Sequence, residues 1–219
     1  MKLPISRGRI SHTLFEDLVW LVRSVFSKIN DSQTVTRFET TFAEYVGRKH
    51  CIVFPFARTG IHAVLKNLEL PEGSVVLMPP ITIKPILDVV LDLKLVPVFV
   101  DIDQSTVCFS ESALTDALKS SPRVAILTYL FGIVPDVEAL CKTLRNAGVF
   151  IIEDFSQCLN GKFRGDQIGS FGDVSVYSAS SVKTLDTYGG DFVFTDDDKM
   201  AKSLGDSQRE LSKPSRSRL

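Results

Sequence analysis

The sequence has few of the residues that build metal sites or disulfide frameworks. It contains four widely spaced cysteines without a CxxC pair, and only three histidines among 219 residues. This spacing offers no ligand set for zinc, so we predict no metal site. Cys51 and Cys141 lie within apolar patterns and are expected to be buried, reduced thiols.

The sequence also lacks an excess of either charge. The 25 basic and 26 acidic residues give a formal net charge of −1. A general nucleic-acid binder or a binder of anionic membranes would carry a basic stripe, so both classes are disfavoured. Basic residues do gather near the C-terminus, at Lys213, Arg216 and Arg218, where neighbouring Ser and Pro indicate a solvated tail.

Long hydrophobic runs are missing as well. No apolar stretch approaches the roughly 20 residues that a membrane-spanning helix needs. No secretory signal precedes the first amphipathic stretch, whose apolar runs are broken by Glu16, Asp17 and Arg23. We therefore expect a cytoplasmic protein. The composition, with 44% hydrophobic and 23% charged residues, is average for a soluble globular chain, and the length fits one large domain.

Strand and helix patterns alternate along most of the chain. Two N-terminal helices are predicted, one within residues 12–29 and one that follows Asp31 and Ser32 and ends at Gly47. Short apolar strands are then predicted at 51–54, 75–78, 96–100, 124–128, 149–152, 174–177 and 192–194. The intervening helices are predicted at 60–68, 85–93, 111–119, 135–146 and 199–204.

This alternation predicts the fold class. Strands that are apolar throughout are typical of a sheet covered on both faces. Alternation with helices indicates right-handed crossovers between parallel strands. We predict a three-layer α/β/α sandwich around a mainly parallel seven-stranded sheet. The expected organisation is a helical segment over residues 1–33, a large domain over 34–204 and a disordered or truncated polar tail over 205–219.

Active sites in open α/β sheets lie beyond the carboxyl ends of the strands, and one such end carries two carboxylates. The strand predicted at 149–152 runs into Glu153 and Asp154, and Gln157 follows. A carboxylate at this place can bind a ribose hydroxyl, a metal or a protonated ring nitrogen, or it can simply cap the next helix. The residues alone leave these alternatives open.

A second strand end leads into a hydroxyl-rich loop. Ser178 and the serines at 180 and 181 can hydrogen-bond a phosphate, and Lys183 places an amine near the same loop. The pair Gly189–Gly190 permits positive φ or a close backbone approach. A serine-rich loop with a lysine is also common on plain protein surfaces.

A third loop leads directly into a predicted helix. Thr59 and Gly60 stand at that helix start, where free amides form a ready anion site. The chain contains neither a Walker A motif nor a GxGxxG motif, so nucleoside-triphosphate and dinucleotide sites are unsupported.

The order of these motifs resembles the DegT/DnrJ/EryC1/StrS family of sugar aminotransferases. These enzymes depend on pyridoxal 5′-phosphate (PLP) and have the fold of the aspartate aminotransferase superfamily (fold type I). The likeness begins with RFETTFAEYVG at 37–47, is most specific at 152–157, 169–173 and 178–190, and covers roughly residues 35–200.

The resemblance implies roles for individual residues. Lys183 would bind PLP covalently as a Schiff base and later move the proton of transamination. Asp154 would pair with the pyridinium nitrogen and keep it protonated. Gln157 would contact the ring near its phenolic oxygen. Ser178, with the amides of Thr59 and Gly60, would hold the phosphate.

Two positions depart from the family pattern within the expected site. Ile83 stands where the family usually has an aromatic residue over the ring. An aliphatic residue can pack there but loses offset stacking, worth roughly 0.5–1.5 kcal/mol. Arg58 lies in Ala57-Arg58-Thr59, where the family usually has Ser-Gly-Thr. Both are expected to contact the cofactor.

By the same resemblance, the chain would transfer an amino group from an amino acid, with glutamate as the expected donor, to a keto-sugar carried on a nucleotide. Family members form homodimers and continue into a smaller C-terminal domain that is largely absent from these 219 residues.

Two alternatives remain. One is a catalytically inactive or truncated PLP-binding homologue that acts as a partner or regulatory subunit. The other is a PLP-dependent sugar dehydratase, whose family members replace the lysine with histidine, so Lys183 argues against it.

Overall fold

The computed structural model describes residues 13–26, 32–180, 183–187 and 189–211. Its helices are α1 (Leu14–Phe26), α2 (Ser32–Val46), α3 (Ala57–Asn67), α4 (Lys84–Asp92), α5 (Glu111–Ala117), α6 (Val137–Asn146) and α7 (Asp198–Glu210), with a 3₁₀ turn (Leu118–Ser120) after α5. Its strands are β1 (His50–Phe54), β2 (Val75–Met78), β3 (Val96–Phe99), β4 (Val124–Thr128), β5 (Phe150–Asp154), β6 (Lys162–Phe163), β7 (Asp166–Gln167), β8 (Val174–Ser178) and β9 (Asp191–Thr195).

Seven strands form one sheet in the order β1-β9-β8-β5-β4-β2-β3. Strand β9 runs antiparallel to both of its neighbours, and the remaining pairings are parallel. Strands β6 and β7 pair with each other in a separate hairpin. The predicted mainly parallel seven-stranded sheet is therefore confirmed.

Helices cover both faces of this sheet. Helices α2, α5 and α6 bury side chains in one core, and helices α3, α4 and α7 bury theirs in the other. Successive strand residues point to opposite faces, so Ile151 joins the first core and Ile152 the second. The predicted three-layer arrangement is confirmed.

The ends of several elements differ from the predicted ends. Helix α3 begins at Ala57, three residues before the predicted start at Gly60. Helix α7 begins at an Asp197 cap and continues to Glu210, so residues 205–210 of the predicted tail are helical. The last turns of α7 were not predicted because the helix is mostly polar and buries a single side chain, that of Leu204. Residues 212–219, with the basic cluster, and residues 1–12 and 27–31 lie outside the described part.

The four cysteines are free and buried, which confirms the prediction for Cys51 and Cys141. Burial raises the pKa of the Cys108 and Cys141 thiols to about 12. At neutral pH these thiols are protonated, so they act as packing residues and not as nucleophiles.

Helix α1 differs from the other helices because it buries none of its residues. It exposes eight large apolar side chains: Leu14, Phe15, Leu18, Trp20, Leu21, Val22, Val25 and Phe26. Within the described ranges, no helix combines the length and the hydropathy needed to cross a bilayer. A contiguous apolar surface of this kind is typical of a protein–protein contact.

Candidate functional site

Four polar residues form a row across one face of the sheet, at the carboxyl ends of the parallel strands. Thr128 ends β4, Asp154 ends β5, Ser178 ends β8 and Asp191 begins the antiparallel β9. Thr128 is in register with Asp154, and Ser178 with Asp191. The residues two positions away along these strands belong to the core under α3, α4 and α7. The alternation of strand side chains therefore places all four polar groups on that same side.

Asp154 is a buried carboxyl group in this row. It is 7% exposed, and its Oδ1 accepts a hydrogen bond of 3.1 Å from the Ser156 amide. Burial raises the pKa of Asp154, while hydrogen bonds from Ser156 and the ammonium group of Lys183 partly offset that increase. Lys183 lies in the loop after β8, the strand that pairs with β5, so the predicted amine and carboxylate belong to the same edge of the sheet.

Lys183 lies half-buried in the loop after β8. Its amide donates a hydrogen bond of 2.8 Å to the Ser180 carbonyl. Burial raises the pKa of Asp191, and hydrogen bonds from its neighbours together with the ammonium group of Lys183 partly offset that increase. One amine is thus placed near two carboxylates. Ser181, which was also predicted to contact a phosphate, lies outside the described residues.

Glu153, the neighbour of Asp154, faces the opposite core and has a structural role. It is fully buried, and the Arg48 guanidinium lies 3.6 Å from its Oε2. Burial raises its pKa, although the surrounding donors counteract this. Four groups donate hydrogen bonds to it: the Tyr129 hydroxyl and the amides of Gly169, Phe171 and Gly172. Glu153 therefore anchors the loop at 169–172 and does not take part in the polar row.

The start of α3 corrects the predicted anion site. The amides of Thr59 and Gly60 donate to the Phe56 carbonyl at 2.9 and 3.2 Å. They are not the free donors that were expected, because the helix begins earlier than predicted. The first helical amide, that of Ala57, donates instead to Oδ2 of Asp191. An anion position exists at this helix start, and a carboxylate of the chain lies in it.

An open cleft of about 240 Å³ lies beside this position. Three residues of the predicted site line it: Arg58, Ile83 and Ser178. Ile83 is 56% exposed at the N-terminal end of α4. The Arg58 guanidinium lies 4.1 Å from the ring centroid of Phe56. The structure thus brings these residues to the edge of the sheet that holds Asp154.

Gln157 lies at the same edge but outside the lining of this cleft. Its side chain is exposed, and its Oε1 accepts a hydrogen bond of 3.3 Å from the Phe131 amide. This contact joins the turn after β5 to the loop after β4. A contact between Gln157 and a bound ring stays a prediction.

A larger cleft, of about 400 Å³, opens at the opposite edge of the sheet. It lies at the amino ends of β5 and β8, with Arg48, Asp173 and Asp196 among its lining residues. None of the predicted site residues borders it. The smaller cleft borders three predicted site residues, so the geometry favours it as the functional one. Asp154 and Lys183 lie at the same edge of the sheet but outside the lining of this cleft.

Two residues of the site were not identified from the sequence. Asp191 directly follows the pair Gly189–Gly190, and a carboxylate placed by two glycines at a strand start was a usable signal. Thr128 ends an apolar strand, which gave little indication. Its Oγ1 is buried without a hydrogen-bond partner among the described residues. Such a hydroxyl can hydrogen-bond a water molecule or a ligand group beside it, and Ser175 Oγ is in the same situation elsewhere in the sheet.

Comparisons with known proteins identify the family and agree with the fold. The profile of the DegT/DnrJ/EryC1/StrS aminotransferase family matches residues 11–212. The chain is 27% identical over 170 residues to the spore coat polysaccharide biosynthesis protein SpsC of Bacillus subtilis, covering 78% of this chain and 44% of that protein.

Two solved structures illustrate the similarity in fold. One is a DegT DnrJ EryC1 StrS aminotransferase from Brucella abortus, with TM-score 0.78, 27% identity and coverage of 86% of this chain and 52% of that one. The other is GDP-4-keto-6-deoxy-D-mannose-3-dehydratase of E. coli with bound hydrated PLP. Its TM-score is 0.78 at 19% identity, with coverage of 90% and 53%. The chain spans about half the length of these relatives.

Proposed function

The chain belongs to the DegT/DnrJ/EryC1/StrS aminotransferase family, and we propose that it forms the PLP-binding part of an aminotransferase acting on a keto-sugar. One observation carries this proposal. The buried carboxylate of Asp154 ends β5, and Lys183 follows the neighbouring strand β8, at the edge of the parallel sheet where α/β proteins bind ligands.

The residues at the inner end of the site suit the ring of the cofactor. Asp154 would pair with the ring nitrogen, and its burial removes competing water from that contact. The orphaned hydroxyl of Thr128, on the neighbouring strand in register with Asp154, offers a hydrogen bond to a group bound there. Ile83 would pack against the ring. The bound cofactor supplies the electron sink that transamination needs.

Lys183 and Asp154 would have different roles in the site. Lys183 would hold the cofactor and carry a proton at its Nζ, because an amine near two carboxylates is well placed to accept and release one. Asp154 would keep a proton on the ring nitrogen. Ser178 would contact the phosphate from the end of β8.

Our proposal for the substrates rests on the relatives and not on the geometry of the site. We propose an amino-acid donor, with glutamate as the first candidate, and a nucleotide-linked keto-sugar as acceptor. The names of SpsC and of the GDP-sugar dehydratase support a role in polysaccharide or nucleotide-sugar metabolism. The presence of Lys183 continues to favour amino transfer over dehydration.

We further propose that the chain works as a homodimer. The apolar side chains that α1 exposes support this, since a second copy could cover them. The alternative of a PLP-binding partner subunit is favoured by one observation, the presence of the Asp191 carboxylate in the expected phosphate position.

The visible absorbance of the protein with added PLP tests the proposed function. We expect a band from lysine-bound cofactor that glutamate converts to the amine form. Lys183→Ala should remove the band, whereas Lys162→Ala, on the separate hairpin, should retain it. A stable band that no amino donor discharges would reject amino transfer and support the partner subunit.

A further inference from the structure

The carboxylate of Asp191 occupies a cradle of hydrogen-bond donors between β8 and the start of α3. Asp191 is 6% exposed. Its Oδ1 accepts a hydrogen bond of 2.9 Å from the Ala179 amide, and its Oδ2 accepts one from the Ala57 amide. The hydroxyl of Ser178 also hydrogen-bonds to it. Donors from two separate segments therefore converge on one side-chain anion.

These donors are the ones a ligand anion in the cleft would use. The amide of Ala57 is the first of α3, and an N-terminal helix amide favours negative charge. Ser178 is the residue expected to contact the cofactor phosphate. We call these donors, the amides of Ala57 and Ala179 and the hydroxyl of Ser178, the phosphate seat. Asp191 is in register with Ser178 and on the same face of the sheet, so its carboxylate lies within this seat.

A phosphate group and the Asp191 carboxylate cannot share these donors. A phosphate monoester carries about −1.5 to −2 charges at neutral pH. Like charges a few ångström apart repel each other. Two cations lie near this position: Lys183, which also acts on Asp154, and Arg58, which lines the cleft and packs on Phe56. A phosphate group therefore binds only when Asp191 leaves the seat.

We propose that Asp191 is the residue that determines how tightly this site takes a phosphate-bearing ligand, because its carboxylate holds the phosphate seat in the unliganded chain. This inference rests on the proposed function for the location of the phosphate. The phosphate contributes little to cofactor affinity in the natural sequence, and removing the carboxylate restores its contribution.

Paired ligands with and without the phosphate test the proposal. Dissociation constants of PLP and of pyridoxal are measured for the natural chain, Asp191→Ala and Asp191→Asn. Both substitutions should tighten PLP by at least about tenfold while changing pyridoxal by less than about threefold. Asp166→Asn removes the same charge from the exposed hairpin and should change neither constant. Thermal unfolding confirms that each variant is folded. Asn keeps an acceptor for one amide, whereas Ala leaves the Ala57 amide unpaired and leaves the Ala179 amide only its 3.3 Å contact with the Gly190 carbonyl.

Inorganic phosphate separates this inference from the proposed function. Calorimetric titration with phosphate should show binding to Asp191→Ala and Asp191→Asn that is at least about tenfold tighter than to the natural chain. If the variants gain phosphate binding while no form binds PLP or pyridoxal, the proposed function fails and the role of Asp191 stands. If folded variants bind PLP and phosphate no more tightly than the natural chain, the role assigned to Asp191 is overturned.

Discussion

Two adjacent carboxylates have different roles, one in stabilising the fold and the other in the candidate site. Glu153 and Asp154 are neighbours on β5, and the strand turns them to opposite faces. Glu153 meets converging donors and a guanidinium in one core, whereas Asp154 faces the cleft side near Lys183. The same residue pair therefore offers a matched test of stability against function.

Asp154→Asn is expected to reduce amino transfer by at least about 100-fold without lowering stability. Because the pKa of Asp154 is raised, its ionised form costs stability above that pKa, and the cost disappears as pH falls below the ordinary value of 3.8. The cofactor-free variant should be as stable as the natural chain or more stable at pH 7, with no gain in strong acid. Near-normal turnover would contradict the role of Asp154.

Glu153→Gln should have the opposite profile. Its amide group would turn an N–H donor toward the donors of the loop at 169–172, at a cost of roughly 2–5 kcal/mol. Chemical denaturation measures this loss, and the fraction that remains folded should keep its cofactor spectrum. A variant with unchanged stability would show that the loop does not depend on Glu153.

The sequence allowed some residues of the site to be predicted and not others. Lys183 and Asp154 could be proposed as site residues because each belongs to a motif that stands in the order typical of the family. The place of Asp191 after the glycine pair was a usable signal, but the roles of Asp191 and Thr128 could not be assigned. The surroundings of both residues depend on the register of β9 against β8 and of β4 against β5. The predicted start of α3 at Gly60 is wrong by three residues, because the helix already begins at Ala57.

At the scale of an element, Gly60 lies inside α3 because the helix packs closely on the sheet. A Cβ at this position would come within 2.5 Å of Val193 Cγ2. Gly205, inside α7, has open surroundings, and its nearest contact is Arg209 Nη1 at 3.7 Å. Close packing thus requires a glycine at position 60, whereas nothing in the packing requires one at position 205. Helix propensity alone does not distinguish the two positions.

These glycines give opposite predictions for substitution by alanine. Gly60→Ala should destabilise the protein by about 1–3 kcal/mol, because α3 must move away from β9. Gly205→Ala should stabilise it by about 0.5–1 kcal/mol, through the lower entropy of the unfolded chain. Urea denaturation of both variants decides the matter. Equal effects of the same sign would show that α3 is not packed as described.

At the scale of the molecule, the alternation of strands and helices was sufficient to predict the three layers and the parallel sheet. It did not show that β9 reverses direction, since periodicity carries no information on strand orientation. This reversal has a functional consequence. It brings the start of β9, with Asp191, to the edge where the parallel strands end.

The apolar surface of α1 leads to a prediction about assembly. Sedimentation equilibrium at micromolar concentrations should give a dimer for the natural chain. Leu21→Glu, on the exposed face of α1, should shift the mass toward a monomer by adding charge to the contact. Leu91→Glu, at an exposed apolar position on α4, should not. A natural chain that is monomeric throughout would exclude the proposed homodimer.

The central claim is that Lys183 carries the cofactor opposite Asp154. It is tested most directly by incubating the protein with PLP, reducing it with borohydride and mapping the modified peptide by mass spectrometry. We predict one dominant adduct, on Lys183, and its loss in Lys183→Ala. An adduct spread evenly over the exposed lysines, or no adduct at all, would contradict the claim.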